Sequence, residues 1–326
     1  MAEASPSAEK PPGGGGAARW RSADNTLRSV RMRVLVTGAA GKVGSAAAAA
    51  LADAGHNVTA TDLIHRPGLA VPVKLADLRD PIASYGILEG QDAVVHLGNH
   101  PNAFAAQPRQ RLLAENVAIN ANVFAAAVDL GVRRVVFVST VQVVMGMRLD
   151  LDGRTVETAP PARLPLDGAL PANPRNNHYA MSKAFGEQSL ALLAAAHPEL
   201  ATLSVRLPQM IRDLESRVGQ YHQRLLRPDD THRFYDGLSY LKIDDAARLF
   251  AALVQRVEPG HRVLFPAQTF AVAGHSPDEA ADLLLPDVPR TAPLDPLGGW
   301  VDRRELERDF GWTPAEPPAE LTLAAE

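Results

Sequence analysis

A glycine-rich turn between a short apolar run and an alanine-rich segment most constrains the fold of this chain. The apolar run Arg33-Val34-Leu35-Val36 predicts a buried strand, and the segment Val43–Ala54 predicts a helix that ends at Gly55. Between them lies Thr37-Gly38-Ala39-Ala40-Gly41-Lys42-Val43-Gly44. In such a turn the first glycine permits the tight bend, the second lets backbone approach a pyrophosphate, and the third lets helix pack on strand. The helix N-terminus adds free N–H groups and the positive end of its dipole. The turn therefore predicts a dinucleotide-binding loop.

The same strand and helix alternation continues along the chain. Further strands are predicted near 56–61, 71–75, 93–97, 134–139 and 201–206, with helices near 107–130 and 178–197. Continuous apolar strands that alternate with helices are typical of a parallel sheet covered on both faces. We therefore predict an α/β fold, a Rossmann-like doubly wound parallel sheet with a small, interleaved C-terminal substrate lobe.

The 326 residues divide unevenly. Residues 1–31 are rich in Pro, Gly, Ala and Ser without apolar periodicity, which predicts a disordered tail. Residues 32–207 are predicted to form the dinucleotide-binding domain, and 208–326 mainly a substrate-binding lobe, with 239–256 returning to the first domain. The Pro-, Gly- and Asp-rich stretch 148–177 predicts a long loop that serves as a lid or substrate wall.

Composition excludes several functions. A net charge of -4 argues against a nucleic-acid partner. The chain has no cysteine, which excludes thiolate nucleophiles and cysteine-bound zinc and fits a reducing compartment, so a cytoplasmic location is expected. No run approaches the ~18 apolar residues of a membrane span. The ten histidines show no recognised metal-binding spacing, so no metal is expected.

Asp62, at the end of the second predicted strand, indicates which dinucleotide binds. A carboxylate there accepts hydrogen bonds from both adenosine-ribose hydroxyls and repels a 2′-phosphate. NAD is therefore favoured over NADP. The cations Lys42 and Arg66 nearby keep NADP as the second candidate.

A tyrosine and a lysine provide candidate chemistry. Tyr179 and Lys183 are spaced i and i+4, so they share one face of the predicted helix. A nearby cation stabilises a phenolate and lowers the phenol's pKa from about 10, which suits tyrosine for general acid/base work. Ser139 and Thr140 end a predicted strand, and the carboxyl ends of such strands face the ligand crevice. A hydroxyl there can polarise a substrate carbonyl.

With these motifs the chain resembles the extended short-chain dehydrogenase/reductase family, including its NAD-dependent epimerase/dehydratase group. The resemblance implies that Tyr179 is the general acid/base, that Lys183 tunes it and binds ribose, and that Thr140 is the catalytic hydroxyl. The residues it assigns to the cofactor are Gly38, Gly41, Lys42, Val43, Gly44, Asp62, Asp77, Leu78, Leu97, Gly98, Asn116, Lys183 and Pro208. Among these, Asn116 is expected on the helix beneath the site.

Two departures from the family pattern matter. The family often shows Val-Tyr-Gly after the hydroxyl, and anchoring that pattern on Gly146 places Val141 in the catalytic position. Thr140 is preferred because it carries a hydroxyl. The dehydratases that resemble this chain carry an Asp-Glu pair there, whereas Val141-Gln142 has no carboxylate, which disfavours dehydration.

The predicted function is an NAD-dependent oxidoreductase that transfers hydride at a carbinol carbon of a sugar or polyol-like substrate. The first alternative is a sugar or nucleotide-sugar epimerase that retains its NAD. The second is a dinucleotide-sensing regulator without turnover. The expected partner is a small molecule, a carbohydrate by resemblance, and the helices near 107–130 and 178–197 make a homodimer a further candidate.

Overall fold

The computed structural model describes residues 31–322 except 104, 106–107, 153, 213, 215–217, 220–234, 256–257 and 296–298. Apart from Arg31, the tail predicted at 1–31 lies outside the described residues. The strands, in chain order, are β1 (Arg33–Thr37), β2 (Asn57–Asp62), β3 (Val73–Leu75), β4 (Ala93–His96), β5 (Arg134–Thr140), β6 (Arg148–Leu149), β7 (Thr155–Glu157), β8 (Ala201–Leu207), β9 (Gln209–Ile211), β10 (Ser239–Lys242), β11 (Gly260–Leu264), β12 (Gln268–Thr269), β13 (Ala271–Val272) and β14 (Glu320–Leu321). The helices are α1 (Lys42–Asp53), α2 (Pro81–Leu88), α3 (Arg109–Asp129), α4 (His178–Ala196), α5 (Ile243–Gln255), α6 (Pro277–Leu284) and α7 (Arg304–Phe310), with a 3₁₀ turn at Val141–Val143.

A seven-stranded sheet forms the centre, in the order β11-β8-β5-β4-β1-β2-β3. Every neighbouring pair in it is parallel. The strand order reverses between β1 and β4, and ligands of such sheets bind at this switch point, beyond the carboxyl ends of the strands. The predicted α/β doubly wound fold is confirmed.

Helices cover both faces of the sheet because each strand alternates its apolar side chains. On β5, Val136 packs into the cluster with α1, α5 and α7, whereas Val135 and Phe137 pack into the cluster with α2, α3 and α4. Both clusters are almost wholly buried. Two apolar faces per strand explain why the strands read as continuous apolar runs.

A third cluster lies apart from the central sheet. It joins the three-stranded sheet β12-β10-β9 to α6, β13 and the segment around Trp300. The proposed boundary at residue 207 stays a prediction. Two elements that follow residue 207 belong to the central sheet and its covering layer: β11 is a strand of the central sheet, and α5 packs on one face of that sheet.

The stretch 148–177 has more structure than the predicted loop. Strands β6 and β7 form an antiparallel hairpin. Further along, Leu164 and Leu166 are fully buried and make isolated bridges with Arg290 and Val301. The stretch is therefore tied to the third cluster, because its alternating leucines supply part of that core.

Candidate active site

The glycine turn follows β1 and is sterically restricted to glycine at two positions. Gly38 has φ +66°, and a Cβ there would lie 2.8 Å from the carbonyl carbon of Leu97. A Cβ on Gly44 would lie 2.2 Å from the Gly38 oxygen. At Gly41 a Cβ would meet only that same oxygen, at 3.1 Å. The first and third glycines are thus required by the turn itself, whereas the second leaves its backbone accessible.

The start of α1 fits an anion. Gly41 is its N-cap and contributes no side-chain cap, and the first turn carries no acidic residue. Its amides therefore remain for a ligand, and a helix N-terminus favours negative charge. Lys42 is exposed beside it and Val43 is half-buried. These residues would hold the pyrophosphate of a dinucleotide.

Asp62 ends β2 next to this turn. Its Oδ2 accepts a hydrogen bond from Ala40 N at 2.9 Å, and its Oδ1 accepts one from Leu63 N at 2.7 Å. Arg66 donates to Ala40 O at 3.0 Å, so a carboxylate and a guanidinium flank the same residue. The carboxylate suits ribose hydroxyls, and the guanidinium is the group that would pair with a 2′-phosphate.

Further residues expected to line the cofactor come from three strand ends, with Asp77 and Leu78 expected to flank the adenine. Leu78 is buried, and its Cδ1 would lie 3.2 Å from a Cβ placed on Gly98. Asp77 is half-buried and pairs with Arg79, Nη2 to Oδ2, at 2.6 Å. Pro208 is buried directly after β8. These positions stay predictions for the cofactor.

The structure distinguishes the two hydroxyls at the end of β5. Ser139 donates to Glu187 Oε1 at 2.5 Å, in a buried ion pair that Glu187 makes with Arg206. Thr140 instead lies close enough to the phenol of Tyr179 to lower its pKa, and its Oγ1 accepts a hydrogen bond from Gln142 N at 3.3 Å. The Ser139 hydroxyl is thus used in a structural hydrogen bond. Thr140 is therefore the better candidate for the catalytic hydroxyl. Val141 is buried in the third cluster.

Lys183 lies beneath the tyrosine, one turn along α4. Its Nζ donates to Val138 O and to Asn99 Oδ1, both at 2.7 Å. The Nζ atom lies 5.8 Å from the Tyr179 ring centroid and 4.8 Å from that of Phe137. The side chain is almost fully buried. One of its three N–H donors is left for a ligand.

Burial opposes the pKa shift that the sequence suggested for the phenol. Desolvation raises the pKa of Tyr179 to about 12, although the hydrogen bond from Thr140 acts in the opposite direction. Desolvation also lowers the pKa of Lys183 to about 7. The expected lowering of the tyrosine pKa is therefore wrong. Ala103, Leu112 and Leu149 enclose the phenol with apolar groups, which disfavour the phenolate.

Two asparagines position α4. Asn177 is its N-cap, and its Oδ1 accepts from Tyr179 N at 3.1 Å and Ala180 N at 3.2 Å. Asn116 on α3 is fully buried and donates to Ser182 Oγ at 3.0 Å. Its position matches the expected place beneath the site, but its amide is occupied by protein groups. Sequence reasoning missed Asn177, although an asparagine directly before a predicted helix is the usual cap signal.

Comparison with models of known protein families shows the family of this chain. The model described as "NAD dependent epimerase/dehydratase family" matches residues 34–264. The chain belongs to this family. The resemblance seen in the sequence is confirmed, and with it the class of NAD(P)-dependent oxidoreductase or epimerase.

Three relatives illustrate the range of the family. The chain is 33% identical over 207 residues to an L-arabinose 1-dehydrogenase (NAD(P)(+)) of Haloferax volcanii, covering 61% of this chain and 78% of that protein. It is 24% identical over 244 residues to a uronate dehydrogenase of Pseudomonas syringae, covering 74% and 76%. The crystal structure of UDP-glucose 4-epimerase from Bifidobacterium longum, in complex with NAD+ and UDP, superposes with a TM-score of 0.62 at 19% identity, covering 89% and 94%. This last likeness concerns the fold.

Two features are absent from the described part of the chain. None of its helices combines the length and apolarity needed to cross a membrane. Nor do three or more of its His, Asp or Glu side chains gather where they could hold a metal ion.

Proposed function

We propose that this family member is an NAD-dependent dehydrogenase of a free sugar, an aldose or a uronic acid. The observation that carries the proposal is the closeness of Thr140, Tyr179 and Lys183 at the carboxyl end of β5, on the same edge of the sheet as the glycine turn. Two sequence relatives are named as sugar dehydrogenases, which supports the substrate class. The absence of a carboxylate at Val141 and Gln142 disfavours dehydration.

The residues have separate tasks in the proposed reaction. NAD, when bound, supplies the hydride acceptor. Tyr179, ionised to the phenolate, takes the proton of the sugar hydroxyl as hydride leaves the carbinol carbon, and Thr140 hydrogen-bonds the same oxygen. Lys183 keeps positive charge beneath the phenol, which favours the phenolate. Asp62 and the amides at the start of α1 hold the dinucleotide.

Turnover of purified protein with NAD and a panel of aldoses and uronic acids tests the proposal. A stoichiometric rise of the reduced-nicotinamide absorbance with at least one sugar is expected. The Tyr179→Phe variant should lose at least about 100-fold in kcat and keep its NAD affinity, because only the proton transfer is removed. Equal activity in that variant would sink the mechanism. Protein that keeps NAD through purification and interconverts sugars without net reduction would instead be an epimerase.

The two hydroxyls provide a second, matched comparison. Thr140→Val should lower kcat, since Thr140 lies at the phenol, and should lower thermal stability only slightly, through loss of the 3.3 Å bond from Gln142 N. Ser139→Ala should chiefly lower stability, because it removes a donor from the buried carboxylate of Glu187. If Ser139→Ala were the variant with the larger loss of kcat, the assignment of Thr140 would be reversed.

We also propose a homodimer formed through α3 and α4, in the cytoplasm. Phe185 and Leu192 lie on one face of α4 and are 45% and 67% exposed. Exposed apolar side chains at this spacing suit a helix-to-helix contact. The lack of cysteine fits a reducing compartment. Sedimentation of the wild type and of Leu192→Lys tests the dimer, which the lysine should dissociate, and cell fractionation tests the location.

A further inference from the structure

A row of polar side chains, buried except for the half-buried Asn99, connects the end of β1 to Lys183. Asn99 Nδ2 donates to Asn120 Oδ1 at 2.9 Å, and the His96 ring nitrogen Nε2 lies 3.1 Å from the same oxygen. At the far end, His96 Nδ1 lies 2.7 Å from the hydroxyl of Thr37. We name Thr37, His96, Asn120 and Asn99 the polar row.

Each end of the row permits only one direction of hydrogen bonding. The Lys183 ammonium only donates, so Asn99 must present its oxygen to it. At the other end, the backbone amides of Leu97 and Gly98 donate to Thr37 Oγ1, at 3.1 and 2.9 Å. The Thr37 hydroxyl must then donate to His96 Nδ1. His96 therefore carries its proton on Nε2 and is neutral.

The orientation of the Asn120 amide is set by its two neighbours in the polar row. Its Nδ2 is buried and has no hydrogen-bond partner among the described residues. Turning the amide around would give up the bonds from both His96 and Asn99. The unsatisfied donor is thus the consequence of keeping the row aligned toward Lys183.

We propose that Asn99 is a positioning residue that fixes the Lys183 ammonium and keeps it charged beneath Tyr179. The inference rests on the proposed dehydrogenase, since charge on Lys183 matters through the phenol. An uncharged, half-buried acceptor at 2.7 Å stabilises an ammonium that burial disfavours. No sequence motif predicts this role, because the motif His96-Leu97-Gly98 ends just before Asn99.

The other ionisable groups around Lys183 are few. Glu187 on α4 favours its charged form, although Glu187 is itself paired with Arg206 on β8. His96 at the end of β4 is kept neutral by burial and by Lys183, which lower its pKa to about 3. Tyr179 lies on the side of the substrate. A neutral residue at position 99 therefore leaves Glu187 as the one anion that supports the charge of Lys183 among these described groups.

Two substitutions should shift the charge of Lys183 in opposite directions. Asn99→Leu removes the acceptor at similar volume and should lower the midpoint of Lys183 titration by about one pH unit, the shift expected for losing one hydrogen bond to a charged group. Asn99→Asp places a carboxylate against the ammonium and should raise that midpoint. Asn57→Leu, at an exposed asparagine of β2, is the matched control and should change nothing.

Lysine NMR gives a readout that does not require turnover. The chain contains five lysines, Lys10, Lys42, Lys74, Lys183 and Lys242, so signals of ¹³Cε-labelled lysine are few, and Lys183→Arg assigns the one of interest. The alkaline limb of the kcat profile should move with the NMR midpoint. Unchanged midpoints in both Asn99 variants, or shifts of the same sign, would overturn the proposal. Absence of any sugar oxidation would contradict the proposed function, while the titration would still decide the role of Asn99.

Discussion

At the scale of single residues, His96 links the site to the stability of the whole chain. Its imidazole is fully buried between β4, α3 and β5, and it stacks on Phe137 with ring centroids 5.8 Å apart. Burial and the charge of Lys183 lower its pKa to about 3 from the ordinary 6.5. Between these two pKa values, His96 is protonated in the unfolded chain and neutral in the folded chain.

Acid should destabilise the fold through this group. Between the unfolded pKa of 6.5 and the folded pKa of about 3, the unfolded state holds more protons, so stability falls as pH falls. The loss is roughly 1.4 kcal/mol for each pH unit in that window. Urea unfolding between pH 7 and 4.5 should show a smaller pH slope in His96→Gln than in the wild type. The exposed His65→Gln should keep the wild-type slope, and a His96→Gln slope equal to the wild type would contradict the assignment.

Asp62 should decide between the two dinucleotides. Asp62→Ala removes the carboxylate proposed to face the ribose and leaves Arg66 beside Ala40. The kcat/KM for NADP relative to NAD should rise at least about tenfold, because a like-charge repulsion of this kind is worth more than ~1.4 kcal/mol. Steady-state kinetics with both dinucleotides measure it, with the exposed Asp53→Ala as control. An unchanged ratio would remove Asp62 from cofactor selection.

The sequence was sufficient to predict that Thr140, Tyr179 and Lys183 lie close together. It was not sufficient to predict their protonation states. The strand-end rule places Thr140 near Tyr179 and Lys183, since all follow from the order of elements. The pKa of the phenol depends instead on side chains such as Leu112 and Leu149 that enclose it, and these come from distant parts of the chain. The role of Asn99 could not be predicted either, because its partner Lys183 is 84 residues away in the sequence.

At the scale of elements, some were missed for identifiable reasons. Helix α2 was not predicted, although Asp80 caps it and Pro81 begins it, which is a typical start signal. With only eight residues, the helix is too short for a clear apolar periodicity. Strand β11 was missed because its first residues, Gly260-His261-Arg262, are polar. It is an edge strand of the sheet, where burial on both faces is not required. The hairpin in 148–157 is too short for periodicity to show.

The cap of α4 should serve both stability and catalysis. Asn177→Ala removes the acceptor for two first-turn amides and the bond from Asn177 Nδ2 to Gln142 Oε1, and should cost about 1 kcal/mol of unfolding free energy. It should also lower kcat several-fold, since Tyr179 lies in that first turn. Asp80→Ala removes the comparable cap of α2 and should lower stability alone. Equal kcat losses in the two variants would show that Asn177 acts only through stability.

At the scale of the whole molecule, the sheet couples ligand binding to global stability. The glycine turn, Asp62 and the end of β5 belong to three strands of one sheet whose two faces hold the main apolar clusters. A ligand that binds only the folded chain must therefore raise its unfolding temperature. The gain is about 2.7 kcal/mol when the ligand is present at 100 times its Kd.

Gly41→Ala should separate the turn's role in binding from its role in folding. Gly41 has φ -69°, which alanine adopts without strain, and its Cβ would meet only Gly38 O at 3.1 Å. Because that contact is tighter than most Cβ contacts, alanine should cost up to about 1 kcal/mol of stability without ligand. The added methyl group should nevertheless block backbone approach to the pyrophosphate, so the thermal shift caused by NAD should largely vanish.

Gly86→Ala in α2 is the matched control for that measurement. Gly86 is exposed and a Cβ there meets nothing within 4 Å, so alanine should stabilise the helix by roughly 0.5–1 kcal/mol and leave the NAD-induced shift intact. Thermal unfolding of the three proteins with and without NAD gives both quantities at once. A full NAD-induced shift in Gly41→Ala would mean that the dinucleotide does not approach the second glycine. The anion site would then have to be sought elsewhere along the carboxyl edge of the sheet.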